Sequence, residues 1–174
     1  MSVDKIVKKA QSFIGCKESD GSHKKIIDYY NNNGSLPQGY KVKYTDAWCA
    51  TYVSVVFMQG ATKNWKYKEC SCDRMIKLFK SNNKYITDKS KAKAGDVIFY
   101  DWQANGASSD HVGIIVGSDS THWTVIEGNK NDEVGYRQIA KTSDLIMGYG
   151  VIDYNNADIV SKYYCDKYKK YCDG

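Results

Sequence analysis

The chain has 174 residues, enough for one domain with a substantial core, and 42% hydrophobic residues, which excludes a disordered polypeptide. Its formal charge of +5, from 25 Lys and Arg against 20 Asp and Glu, is mild. It favours an anionic partner without demanding one, and "KIVKKA" and "KKYC" are too sparse for the basic face of a nucleic-acid binder. No apolar run approaches the ~18 residues of a membrane span, so no membrane insertion is expected. The N-terminus "MSVDKIVKKAQSFIG" lacks the apolar centre of a secretory leader, so synthesis in the cytoplasm is expected.

In chain order, Val3, Ile6, Val7, Ala10, Phe13 and Ile14 recur at three and four, which predicts a helix over 3–14 closed by Gly15. A second helix is predicted over 22–32, with Ser22 as its cap and Ile26, Ile27 and Tyr30 on one face. "NNNGSLPQG" reads as a loop. "TDAWCATYVSVVFMQGA" reads as a helix over about 47–59, with Asp46 as N-cap and Gly60 as stop. A short helix follows over 71–79. After Gly95 the pattern changes to "DVIFYDW", "HVGIIVG", "HWTVIEGN", "VGYRQIA" and "MGYGVIDY", short β-rich runs that predict a meandering antiparallel sheet. Residues 154–174 read as a polar, basic, helical tail, too short for a second core. Helices first and strands later predict a segregated α+β domain.

Six cysteines stand at 16, 49, 70, 72, 165 and 172. A cytoplasmic origin points to free thiols. Cys70 and Cys72 form C-x-C, poor zinc spacing with no matching His pair, and Cys165 and Cys172 would share a helix face. Cys49 is different. With Asp46 as N-cap it would be the third helical residue, at the positive end of the helix dipole, where thiol pKa values fall. Taken alone, a core thiol remains the commoner reading. A thiol nucleophile needs a base, and only His23, His111 and His122 exist. His23 falls in a polar first turn and His122 after "SDST", so both are expected in solvent. His111 opens a buried-looking strand, a rigid place for a base. A base needs an orienting group. Glu127 closes the next strand, and a period of two puts Trp123, Val125, Glu127 and Asn129 on one side.

Cys on a helix, then His and Glu on successive strands, is a papain-like order. The stretches "WCATYVS", "AGDVIFYDW", "DHVGIIVG" and "VIEGN" resemble the CHAP family, the cysteine- and histidine-dependent amidohydrolases and peptidases of bacterial and phage wall hydrolases. The resemblance covers roughly residues 1–153. It implies Cys49 as nucleophile, His111 as base, and Glu127 with Asn129 as orienters. It further implies peptidoglycan as partner, acted on by an endopeptidase or an N-acetylmuramoyl-L-alanine amidase, endopeptidase being preferred. The expected molecule is a monomer without cofactor that acts at the cell wall, phage-encoded or secreted. Trp48 and Asp46 are candidate substrate contacts, although Trp48 more readily packs beneath its helix. Some members hold calcium just before the cysteine. Here Val42 and Lys43 occupy that stretch, so no metal is expected. Two alternatives stay open: a catalytically idle wall-peptide binding module, and an NlpC-type peptidase, which typically uses a second histidine or similar polar group as orienter.

Overall fold

The computed structural model describes residues 1–155, so the expected helical tail and its Cys165 and Cys172 lie outside the described residues. Four helices come first: α1 (Val3–Gln11), α2 (Lys24–Asn32), α3 (Cys49–Gly60) and α4 (Cys72–Ser81). Six strands follow: β1 (Tyr85–Ile86), β2 (Val97–Tyr100), β3 (His111–Ser118), β4 (His122–Lys130), β5 (Glu133–Ala140) and β6 (Ile146–Gly150). All pairings are antiparallel, in the order β1-β6-β2-β3-β4-β5. The α+β expectation is met.

Strands β2 to β5 form the expected meander, but β6 does not continue it. It crosses back to pair with β2. Every residue of β2 is buried, so this strand needs a hydrogen-bonding neighbour on each side. The far edge, β5, is covered by the chain after α1. Gly15 donates to Val134, Val134 to Cys16, and Glu18 to Asp132, at 3.2, 2.8 and 2.9 Å. That docking explains why α1 stops at Gln11 rather than at 14. The backbone has to leave the helix to pair with the sheet edge, which would otherwise be a template for association.

Helix α3 is the centre of the molecule. Eleven of its twelve residues are buried, so it carries no polar face and is enclosed by α1, α2, β3 and β4. Phe57 stacks on Trp65 at 4.5 Å, and Tyr67 on Phe79 at 4.0 Å, which ties α3 to α4 through aromatic contacts. The α3 N-terminus comes so close to β4 that a Cβ at Gly128 would collide with the Tyr52 Cβ. Glycine at 128 is thus a steric requirement for the cysteine-bearing end of α3 to reach the sheet.

Two predicted caps are corrected. Ser22 does not cap α2, whose N-cap is His23. Its hydroxyl instead accepts the Lys17 N–H at 2.9 Å and bonds Asp20. Asp46 does not cap α3. Its carboxylate accepts Tyr40 Oη–H at 2.7 Å and Lys43 N–H at 2.8 Å, within its own loop. The N-cap is Trp48, which offers no side-chain acceptor.

Candidate active site

Because Trp48 is the cap, Cys49 is the first residue of α3 rather than the third. The Trp48 cap offers the opening N–H groups of α3 no side-chain acceptor, so the positive end of the dipole faces the thiol. Trp48 itself is completely buried. Its ring lies 5.6 Å from that of His23, and its indole N–H donates to Glu18 Oε1 at 2.9 Å. Having no exposed surface, Trp48 packs the helix entry. His23 is corrected: it is buried, and its Nε2 lies 3.1 Å from the Tyr44 carbonyl. His122 is partly exposed, as expected.

His111 begins β3 and is buried. Its Nε2 lies 3.1 Å from Oε1 of Glu127, a carboxylate with no solvent exposure at all. A charge on an apolar strand needs a partner, and Glu127 has two. Arg137 on β5 donates its Nε–H to both carboxylate oxygens at 2.8 Å. Its guanidinium lies over the rings of Trp102 at 4.9 Å and Tyr100 at 5.8 Å, and those rings flank His111 at 5.8 and 5.9 Å. Glycine at 113 makes room for the carboxylate. A Cβ there would stand 2.8 Å from the Glu127 Cγ and 2.6 Å from a Val125 methyl.

With Nε2 engaged by Glu127, the other ring nitrogen of His111 is the one left for Cys49, and the two groups act on each other electrostatically, the imidazole lowering the thiol and the thiol raising the imidazole. The Cys49 thiol is held well below its ordinary range. The largest cause is a hydrogen bond from Cys72, opposed by burial and joined by His111 and the Ala50 N–H. For His111, burial alone would lower the pKa. Hydrogen bonds and charge from Cys49 and Glu127 outweigh burial and raise it to about 9. Burial works against the Glu127 carboxylate as well, yet His111 and Arg137 keep its pKa lowered. The arrangement therefore favours a thiolate beside an imidazolium at neutral pH.

Asn129 stands apart. The β4–β5 register shifts between Glu127 and Lys130, and Asn129 has φ +55°. The period of two thus ends at Glu127, and no hydrogen bond joins the Asn129 side chain to His111. Asp46 lies beside an open hollow of about 380 Å³ that Tyr40, Ala47, Cys70 and Arg74 also line. This hollow does not include Cys49. Two of its lining residues, Ala47 and Cys70, stand two positions before Cys49 and Cys72 in the chain. In the stretch before the cysteine, Val42 is buried and its backbone is clamped at both ends by the Asn31 amide, at 2.8 and 2.9 Å. Among the described residues, no three His, Cys, Asp or Glu gather as a metal site would require.

Two neighbours escaped the sequence reading. Arg137 was hidden in "VGYRQIA", though a cation on the strand after Glu127 was a usable signal. Cys72 carried no signal, because only the packing of α4 on α3 brings it to Cys49.

The family model for the CHAP domain matches residues 38–129, more than half of the chain. The chain belongs to the CHAP family. The matched stretch contains Cys49, His111, Glu127 and Asn129, and it ends at the register shift of β4. No curated protein matches the chain. Among solved structures, an NlpC/P60 family protein from Bacillus cereus ATCC 10987 is 13% identical, with a TM-score of 0.53 over 87% of this chain and 40% of that one. Ly7917 with the hydrolyzing product of MDP is 12% identical, with a TM-score of 0.51 over 85% of this chain and 62% of that one. The CHAP chain thus spans less than two thirds of either structure. At such identities the likeness is one of fold, the papain-like packing of helices on an antiparallel sheet.

Proposed function

We propose that this CHAP protein is a peptidoglycan hydrolase that cleaves a peptide or amide bond with Cys49 as nucleophile. The observation that carries the reading is the buried line Arg137–Glu127–His111, which ends at a thiol on a helix N-terminus. A carboxylate fully desolvated and doubly paired behind a histidine has a clear use in orienting and charging that ring. It would be a costly way to close an idle strand. This argues against a catalytically idle binding module.

The Cys49 thiolate attacks the carbonyl carbon. The backbone N–H groups at the start of α3 receive the oxyanion, and the His111 imidazolium protonates the leaving amine as the C–N bond breaks. Water, deprotonated by the now neutral His111, clears the thioester. Glu127 fixes the ring and stabilises its charge, and Arg137 keeps Glu127 ionised. The scheme needs no metal ion. Substrate crosses the rim where the hollow beside Asp46 meets Cys49, with Asp46 at its edge. Membership of the CHAP family supports the wall as the place of action, and the MDP product held by Ly7917 supports the substrate class. Endopeptidase cleavage is the reading carried forward over amidase cleavage.

The test is mass spectrometry of fragments released from purified sacculi by the wild type and by Cys49→Ser. Release of peptide fragments by the wild type alone supports endopeptidase action. Free glycan with intact stem peptides would make the enzyme an amidase, and no release by either protein would sink the hydrolase reading.

A further inference from the structure

Hydrolysis as described uses Cys72 only as a hydrogen-bond donor to the thiolate, yet its sulfur lies directly against the nucleophile. The two Sγ atoms lie 3.6 Å apart. A disulfide is about 2.05 Å long, so roughly 1.5 Å of closure separates the pair from a bond. Each cysteine is the first residue of its helix, Cys49 of α3 and Cys72 of α4, where the backbone is held by one helical turn only. Among the described residues the other two thiols are differently engaged: Cys70 faces the Arg74 guanidinium at 3.6 Å, and Cys16 is buried beside β5. The geometry points to a Cys49–Cys72 redox couple, a reversible disulfide that removes the nucleophile from service. The inference rests on the hydrolase reading only for that last consequence.

The two thiols are unlike, which suits such chemistry. Cys49 is held well below the usual thiol range, while Cys72 is pushed up by its hydrogen bond to Cys49 and by burial. One is thus the attacking thiolate and the other a protonated resolving thiol. Cys49 is only 6% exposed and Cys72 only 9%, so the oxidant has to be small. Hydrogen peroxide meets that need. The Cys49 thiolate attacks one peroxide oxygen, the O–O bond breaks, and the thiol becomes a sulfenic acid while the departing hydroxide takes up the proton Cys49 had given up, forming the first water. The Cys72 sulfur then attacks the Cys49 sulfur, expelling hydroxide, and its own proton completes the second water. Two thiols and one peroxide become one disulfide and two waters. Without Cys72 the sulfenic acid has no neighbouring thiol to trap it, and a second hydrogen peroxide oxidises it to sulfinic acid, releasing one water; dithiols do not reduce that product.

The experiment uses the full chain. Treat it with stoichiometric hydrogen peroxide, block free thiols with N-ethylmaleimide, digest with trypsin and weigh the peptides. The peptide of residues 44–63 should appear joined to that of 69–74, with two hydrogens lost, and dithiothreitol should release it. Cys70 shares the second peptide, so the same cross-link is expected in Cys70→Ser and is expected to vanish in Cys72→Ser. In Cys72→Ser one equivalent should stop at the Cys49 sulfenic acid, which dimedone traps, and a second equivalent should convert it to sulfinic acid irreversibly, while the wild type given both equivalents keeps the reversible cross-link. Hydrolysis should be lost and regained with the cross-link in the wild type. Formation of sulfinic acid at Cys49 equally fast with and without Cys72, or a cross-link that needs Cys70, would overturn the inference. The mass readout does not depend on activity. A reversible cross-link in a protein that releases nothing from sacculi would support the couple while sinking the hydrolase reading.

Discussion

Two histidines in this molecule begin from the same situation. His23 and His111 are both buried, and each places Nε2 3.1 Å from an oxygen. For His23 the oxygen is the Tyr44 carbonyl, and its Nδ1 is buried without a partner. For His111 the oxygen belongs to the Glu127 carboxylate, backed by Arg137, and the other nitrogen serves a thiol. Burial and a hydrogen bond of equal length therefore do not make a base. What matters is whether the oxygen carries a charge that can stabilise imidazolium, and whether the second nitrogen meets something to deprotonate. His23 helps close the core around Trp48, while His111 is poised for proton transfer.

The largest test of this contrast replaces each ring. His111→Gln should lower the hydrolytic rate by about 10³-fold or more, since it removes the general base altogether. His23→Gln should leave the rate per folded molecule within about threefold and lower stability by about 1–3 kcal/mol, the cost of disturbing a buried hydrogen bond. Thermal melts beside initial rates separate the two. A crippled but fully stable His23→Gln would erase the distinction.

Next comes the charge behind the ring. Imidazolium persists below about 9 and thiolate persists above the lowered Cys49 value, so the rate should be highest between them and fall as pH rises through about 9. Glu127→Gln removes the carboxylate that raises the His111 pKa, so the basic limb should move to lower pH. The rate at neutral pH should drop about 10–1,000-fold. An unmoved limb would assign the pH dependence to another group.

Arg137 sharpens the comparison one shell further out. Arg137→Met keeps an apolar stem against Trp102 but leaves Glu127 buried with His111 alone. Glu127 should then protonate at higher pH, and a shift of one unit corresponds to about tenfold in rate on the acidic side. Arg137→Lys should recover part of it. A rate loss with no change in the pH profile would make Arg137 merely structural.

The smallest effect is expected at Asn129. Its φ of +55° suits asparagine or glycine, so Asn129→Ala should cost about 1–2 kcal/mol of stability through backbone strain. Its rate should stay within about twofold of Asn129→Gly, which lacks the strain. A crippled Asn129→Ala beside a nearly unaffected Glu127→Gln would transfer the orienting role to Asn129.

Much of this site was legible in the sequence because its signals are local. A cysteine opening an apolar run, a histidine opening one strand and a glutamate ending the next each follow from periodicity and position. What was not legible depends on tertiary packing. The Trp48 ring is drawn inward by His23 and Glu18, which moves the helix start and places Cys49 first. His23 looks solvated in "DGSHKK" but is covered by the loop carrying Tyr44. The crossover of β6 follows from the needs of β2, not from its own residues. The Asn129 bulge hid in a strand pattern that a period of two extends one step too far.

The central claim is that Cys49 is a thiolate at neutral pH because the Cys72 hydrogen bond, His111 and the start of α3 make it one. Its direct test is the rate of Cys49 alkylation by iodoacetamide across pH 4–10, with modified peptides mapped by mass. The account predicts rapid labelling of Cys49 already well below pH 7, ahead of Cys16 and Cys70, and a shift of that limb to higher pH in His111→Gln. Labelling that rises only near pH 8.5, the range of an ordinary thiol, and that ignores His111→Gln would contradict it.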